Sequence, residues 1–284
     1  MSAARLRAEG LRVGYGPKNE ILHGVDIEIP DGELTVIVGP NACGKSTLLK
    51  TLARMLPVQS GRVLLDGAPI HALPSKAVAR QLGLLPQDPS APDGIVVTDL
   101  VARGRYPHQS LLRQWSPDDE RAVSAALRAA RVEDLAERRV EELSGGQRQR
   151  VWIAMALAQE TPILLLDEPT AYLDISHQVE VLKLARGLQR RGFTVVVVLH
   201  ELNLAFRYAT NLVVMREGRI VAQGAVGDVV TPELIHEVYG LPCSIIADPI
   251  SGRPLVVPVD LDEDLDEAGE GPAAAPVDAD AERG

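Results

Sequence analysis

The sequence predicts an α/β protein built on a largely parallel sheet covered by helices. Three observations carry that expectation. Leu34–Val38, Ile163–Leu166 and Val195–Leu199 are short runs apolar on both faces, the pattern of central strands packed on each side. Two of them end directly in polar, chemically able residues, Asp167-Glu168 and His200, at the strand edge where open α/β sheets bind ligands. β-rich runs alternate with helical patterns through most of the chain, but between Gln87 and Glu160 strand signals nearly vanish.

Taken in order, the Leu34–Val38 strand is followed by a helical stretch, Ser46–Met55, and later by the short apolar run Leu82–Leu85. Ser116-Pro117-Asp118-Asp119 is a helix start, with a capping serine and proline at the first helical position. Val123, Ala126, Leu127 and Ala130 then recur at helical spacing. A further helix opens at Leu143-Ser144-Gly145-Gly146-Gln147 and runs through Trp152 to Ala158. Residues 88–160 or thereabouts therefore read as a mostly helical subdomain inserted into the α/β core. Val181, Leu184, Ala185 and Leu188 form a helical stripe after the Ile163 strand. Beyond Pro258 the chain turns acidic and then rich in Ala, Pro and Gly. Such a composition buries too little apolar area to offset its ordering entropy. The folded domain is thus expected to span 1–258, and 259–284 to be a disordered acidic tail.

The bulk composition narrows the function classes. The 284 residues suffice for one large α/β domain or two small ones, and 46% apolar residues supply a sizeable core. Mean hydropathy is +0.03. The longest unbroken apolar run, Val151–Ala158, falls far short of the roughly 18 residues a spanning helix needs. The N-terminus shows no apolar signal region, so the expected place is the cytoplasm, with any membrane role supplied by a partner. Cys43 and Cys243 form no metal-binding pattern and suit a reducing compartment. Of the net charge of −10, nine units belong to the tail, where ten carboxylates face Arg283 alone. The nearly neutral body offers no basic footprint for nucleic acid.

Three motifs carry chemistry. Gly39-Pro40-Asn41-Ala42-Cys43-Gly44-Lys45-Ser46 fits G-x-x-x-x-G-K-[ST] between a strand and a helix, with Thr47 next in line. Backbone N–H groups of such a loop wrap phosphate oxygens, and the helix N-terminus adds its positive end. Lys45 is expected to reach the β- and γ-phosphates, and the Ser46 hydroxyl to ligate Mg²⁺. The bland reading is a glycine turn before an unrelated helix. Asp167 and Glu168 end a buried strand, where paired acids call for a cation or a reacting group. Asp167 suits Mg²⁺, and Glu168 suits polarising the water that attacks the γ-phosphate; the bland reading is two solvated acids entering a loop. Ser144 with two glycines behind it makes another anion-binding helix terminus, or an ordinary serine-capped helix.

Together, LSGGQ, the phosphate cradle and LLLDE resemble the signature set of ABC (ATP-binding cassette) ATPases over nearly the whole body, Leu6 to about Pro258. The resemblance implies a P-loop NTPase core of ABC type, with N-terminal antiparallel β strands besides the inserted helical subdomain. It implies ATP and Mg²⁺ as ligands and further roles one by one. Tyr15 stands where the family stacks an aromatic ring on adenine. Gln87 matches the glutamine that joins Mg²⁺ and the attacking water to the membrane subunit. Ala171-Tyr172-Leu173-Asp174 resembles the loop that crosses the dimer interface. His200 matches the switch histidine at the γ-phosphate. The family further implies that each Ser144-Gly145-Gly146-Gln147 faces the cradle of another copy, so one cradle and one signature per chain point to a homodimer enclosing two ATP molecules.

Within the family, the chain is most similar to ATPases of iron(III)–siderophore importers and their cobalamin and haem relatives. The carrying segments are Gly104-Arg105-Tyr106-Pro107-His108, Ala171 to Gln178, His200-Glu201-Leu202-Asn203 and Asp248 to Pro254. The implied partners are a polytopic membrane permease and, indirectly, an extracytoplasmic siderophore-binding protein, with the chain at the cytoplasmic face of the membrane. The alternative is a soluble ABC ATPase of a non-transport assembly such as iron–sulfur cluster biogenesis. Three departures stand out. Ala42 replaces a common glycine and is tolerable only with negative φ or absorbed strain. Glu201 replaces the usual aspartate. Cys43 lies at a helix N-terminus near Lys45, a setting that favours thiolate and predicts alkylation that ATP blocks. His108 and His177 are not at ligand spacing, so no metal beyond Mg²⁺ is assigned.

Overall fold

A computed structural model describes residues 4–16, 19–109 and 115–259. Of the expected disordered tail, 259–284, all but Val259 lies outside the described residues. In chain order the elements are β1 (Leu6–Gly14), β2 (Glu20–Ile29), β3 (Leu34–Val38), α1 (Lys45–Leu52), β4 (Ser60–Leu65), β5 (Ala68–Pro69), α2 (Ser75–Ala79) and β6 (Leu82–Leu85). There follow α3 (Val97–Ala102), α4 (Pro117–Ala129), α5 (Gly145–Ala158), β7 (Ile163–Asp167), α6 (Ile175–Arg190), β8 (Thr194–Val198) and α7 (Leu202–Tyr208). The chain closes with β9 (Asn211–Arg216), β10 (Arg219–Ala225), α8 (Val226–Val229), α9 (Pro232–Tyr239), β11 (Cys243–Ala247) and β12 (Pro254–Pro258).

The central sheet has the order β10-β9-β3-β8-β7-β6, parallel except for the edge pair β10–β9. Its inner strands explain their unbroken apolarity. Leu34, Val36 and Val38 of β3, Leu164 and Leu166 of β7, and Val195 and Val197 of β8 enter one core. Ile37, Ile163, Leu165, Val196 and Val198 point the other way into a second. The first core is closed by α3 to α7, and the second by α1 and the inner face of a four-stranded antiparallel sheet, β2-β1-β4-β5. That sheet supplies the expected N-terminal antiparallel strands. In β1, Leu6, Ala8, Leu11 and Val13 are buried, and the odd spacing between Ala8 and Leu11 coincides with an irregularity in the ladder.

Between β6 and β7, described residues form helices and turns and no ladder strand, only the isolated bridge Val96↔Arg139. Helix α4 starts as its sequence demands. Ser116 Oγ accepts from Asp119 N, Asp119 Oδ2 accepts from Ser116 N, and Pro117 occupies the first helical position. The carboxyl ends of β3, β8, β7 and β6 lie side by side, with Leu85↔Leu166, Leu166↔Val197 and Ile37↔Val198 in register. The loops that follow these strands therefore emerge along one edge.

Candidate functional site

That edge opens into a cleft of about 500 Å³, walled on one side by residues 41–47 and on the other by Gln87, Glu168 and His200. The loop from Gly39 turns through Pro40, Asn41, Ala42 and Cys43 and feeds α1 by way of Gly44. Gly44 sits at φ 104 as the N-cap of α1, and a Cβ there would come 2.9 Å from Leu22. Only glycine satisfies both the left-handed backbone and the close approach. Lys45 is buried, and its Nζ donates to the Gly39 and Pro40 carbonyl oxygens at 2.8 and 2.9 Å. The ammonium is thereby held inside the ring of the loop, beside its N–H groups. Thr47 is buried behind it.

The two acids at the end of β7 have separate surroundings. Asp167 is fully buried; its Oδ1 accepts from Ser46 Oγ at 2.8 Å. Its Oδ2 is buried without a hydrogen-bond partner, the nearest cation being Lys50 Nζ at 3.6 Å. Burial pushes the carboxyl pKa upward, and Ser46 and Lys50 oppose that only in part. A buried, under-compensated carboxylate oxygen beside a serine hydroxyl is an all-oxygen donor set short of positive charge. It fits Mg²⁺, which binds through one or two protein oxygens and keeps waters elsewhere.

Glu168 is instead gripped from both sides. Gln87 Nε2 donates to Oε2 at 2.7 Å, and His200 Nε2 lies 2.6 Å from Oε1. The carboxylate is mostly covered, and the backbone of Glu168 is left-handed, φ 49, a conformation that costs on the order of 1–3 kcal/mol and clusters at functional sites. Gln87 meets Glu168 through its amide nitrogen; a place at Mg²⁺, which its amide oxygen would serve, is left open by that bond.

Ser144 caps α5 reciprocally. Its Oγ accepts from Gln147 N at 3.3 Å, and Gln147 Oε1 accepts from Ser144 N at 3.1 Å. Ser144 and Gly145 are exposed. None of Ser144, Gly145, Gly146, Gln147 and Asp174 lines the cleft of its own chain. Asp174 caps α6, accepting from His177 N, Ser176 Oγ and the His177 ring; those bonds, the backbone one foremost, pull its pKa down to about 2. Tyr15 is exposed on the turn that closes β1–β2. Across that turn Tyr15 N donates to Asn19 O at 3.1 Å, and Ile21, two residues farther along, lines the cleft.

Residues 22–171, more than half of the chain, match the model of the ABC transporter family. The chain belongs to the ABC transporter family. It is 56% identical over 259 residues to the ferric enterobactin transport ATP-binding protein of Escherichia coli (strain K12), covering 91% of this chain and 95% of that one. It is 50% identical over 249 residues to the achromobactin transport ATP-binding protein of Dickeya dadantii (strain 3937), covering 87% and 92%. Among solved structures it resembles dimeric MJ0796, a bacterial ABC transporter cassette, with a TM-score of 0.69 at 26% identity over 78% of this chain and 98% of that one. No helix among the described residues is long and apolar enough to cross a membrane.

Of the two conditions under which Ala42 is tolerable in this ABC ATPase's cradle, negative φ is not met: the residue sits at +60, which leaves absorbed strain. One expectation needs correction. Cys43 is not a primed thiolate. It is buried at 5% exposure, and burial raises its pKa more than Lys45 and the backbone N–H groups lower it. Three residues of the segments resembling the siderophore branch, Arg105, His108 and Asn203, make packing contacts away from the cleft. Arg105 bridges Asp119, Glu160 and the Ala158 carbonyl, His108 Nε2 meets Gln159 O at 2.8 Å, and Asn203 Oδ1 accepts from Val256 N at 2.8 Å. No cluster of three or more His, Cys, Asp or Glu suited to a metal occurs among the described residues.

Sequence reasoning missed Ile21, Lys50 and Tyr239. Lys50 was findable, because it lies four residues after Ser46 on the same helix face. Ile21 and Tyr239 carry no local signal. The Tyr239 hydroxyl reaches the Gly39–Cys43 loop from α9, and burial pushes its pKa up.

Proposed function

We propose that this chain is the ATP-hydrolysing subunit of an importer for iron(III)–siderophore complexes. It works as a homodimer at the cytoplasmic face of the membrane, on a polytopic permease served by an extracytoplasmic siderophore-binding protein. The single observation that carries the reading is Glu168 at the rim of the phosphate cradle, its two oxygens held by Gln87 and His200. Residues 39–47 bind the triphosphate, Lys45 meets its terminal charges, and Tyr15 stacks on the base. Ser46 and Asp167 hold Mg²⁺, which when bound neutralises developing phosphate charge. Glu168 accepts the proton of the attacking water. Gln87 and His200 fix its carboxylate in place, so that no reorientation is needed at the moment of reaction.

The pairing follows from the open side of the cleft. Ser144–Gln147 and Asp174 do not reach their own cradle, whereas the exposed N-terminus of α5 is an anion-binding surface. Opposed two-fold copies bring each terminus to the other's nucleotide, and hydrolysis removes the bridging charge. Gln87 and the helical residues 88–160 are the face for the permease, within a domain ending near Pro258. The cargo reading is supported by the transport names of the two relatives above, which leave the iron–sulfur assembly alternative without support.

Glu168→Gln tests the core of this reading. It should bind ATP, lose about 10²–10⁴-fold in turnover and accumulate as a closed dimer in Mg-ATP. Wild-type steady-state turnover by that variant would remove Glu168 from its role. Cargo is decided by uptake in cells lacking the chain: loss of ferric siderophore uptake with cobalamin and haem uptake intact is expected, and the reverse would refute it.

A further inference from the structure

Gly145 and Gly146 are consecutive at the start of α5, yet they face different surroundings. A Cβ built on Gly145 meets nothing within 4 Å, and the residue is exposed. A Cβ built on Gly146 would lie 2.8 Å from both Cγ and Nε2 of His177, with Cδ2 of the same ring nearest of all. Gly146 is buried beneath that ring. The two glycines of the signature therefore answer to different constraints: one leaves an open surface, and the other makes room for a side chain of its own subunit.

The ring is held where it lies. Its Nδ1 is 2.7 Å from Asp174 Oδ1. Asp174 is a carboxylate far below neutral pH and can only accept, so Nδ1 must carry the hydrogen. The same oxygen accepts from His177 N at 3.0 Å and from Ser176 Oγ at 2.8 Å. Asp174 in turn ends the tight run that starts at Glu168, where Ala171 N donates to Glu168 O at 3.1 Å and Leu173 N to Thr170 O at 3.3 Å. One turn farther along the two helices, Arg150 Nη1 donates to Glu180 Oε2 at 3.1 Å, a second tie between α5 and α6. A continuous path of contacts thus links Gly146, His177, Asp174 and the backbone of Glu168.

We propose that His177 is a positioning residue: by seating its ring on Gly146 while bonded to Asp174, it locks the start of α5 to the loop that carries Glu168. The terminus at Ser144 and the carboxylate at Glu168 then move as one body. When the partner's nucleotide draws in the first, the second is carried with it. This rests on the proposed two-fold sandwich, in which Ser144–Gln147 meets the partner's ATP.

Epistasis in the full chain tests the lock. Gly146→Ala overpacks the ring and should lower ATPase turnover by at least about tenfold. Adding His177→Ala removes the obstacle and should recover turnover to the level of His177→Ala alone. His177→Ala by itself should lower kcat while ATP affinity, set by the cradle, is unchanged. His177→Asn, which keeps a donor toward Asp174, should restore part of kcat. Gly145→Ala should gain nothing from His177→Ala. Unaltered unfolding midpoints exclude a folding defect, and hydrogen exchange of the nucleotide-free chain should rise together at residues 144–147 and 169–174 in His177→Ala. The proposal is overturned if Gly146→Ala is not relieved by His177→Ala, if Gly145→Ala is relieved equally, or if exchange in the two segments is unchanged. Failure of Glu168→Gln with intact His177 to pair in Mg-ATP would count against the sandwich instead, and the exchange experiment would still decide the lock.

Discussion

Replacing Ala42 by glycine should make the protein more stable, against the usual direction for a residue next to a helix. Ala42 lies in the phosphate loop at φ 60, and its methyl group is exposed. A left-handed backbone costs a non-glycine residue about 1–2 kcal/mol. The exposed methyl contributes little burial to lose. Against the relief stands the larger backbone freedom that glycine gives the unfolded chain, about 0.5–1 kcal/mol. The net expected gain for Ala42→Gly is about 0.5–1 kcal/mol, or an increase of about 1–4 °C in Tm for a domain of this size. Urea and thermal unfolding should be measured without nucleotide, because ligand shifts apparent stability by mass action. Asn41→Gly, one residue earlier and without a positive φ, is the contrast and should lose stability. An Ala42→Gly protein no more stable than the parent would show that the loop does not store the strain assigned to it.

Two further outcomes follow from buried groups. Arg105 is 3% exposed and neutralises buried Asp119 through a 2.8 Å bond, so Arg105→Ala should cost about 3–5 kcal/mol at neutral pH by leaving that carboxylate uncompensated. Burial alone would raise the pKa of Asp119, but the Ser116 hydroxyl and Arg105 outweigh it and the net shift is downward. Its contribution is therefore present above the unfolded value of about 3.9 and lost as pH falls through the lower folded value. The gap between variant and parent in urea midpoint should narrow below about pH 4, and a loss under about 1 kcal/mol at pH 7 would contradict the assignment. Buried Cys43, its thiol pushed up by burial, should be alkylated more slowly at pH 7 than partly exposed Cys243; mass spectrometry finding Cys43 labelled first would restore the primed-thiolate reading.

Short-range features were legible in the sequence because their physics is local. A phosphate loop occupies eight consecutive residues, so its glycines, Lys45 and Ser46 reach their places through adjoining backbone turns. Strands β3, β7 and β8 announced themselves because both of their faces are covered, which forbids polar alternation. The caps at Ser116 and Ser144 were readable for the same reason, as each bonds three residues ahead. The N-terminal antiparallel sheet, by contrast, entered only through the family resemblance, since its strands give weak and irregular alternation.

Only the tertiary structure decided what those local pieces do to one another. Ser46 meets Asp167 across 121 residues and Gln87 meets Glu168 across 81, and no spacing rule links such positions before the sheet order is known. Cys43 shows the limit most plainly: its sequence neighbours favour thiolate, but packing around it sets the larger contribution and reverses the outcome. For His177 the sequence says only that it is not at metal-ligand spacing; the fold lays its ring on Gly146. Backbone geometry and helix ends are governed by residues a few positions apart, whereas burial and long-range charge depend on whichever segments the fold brings alongside.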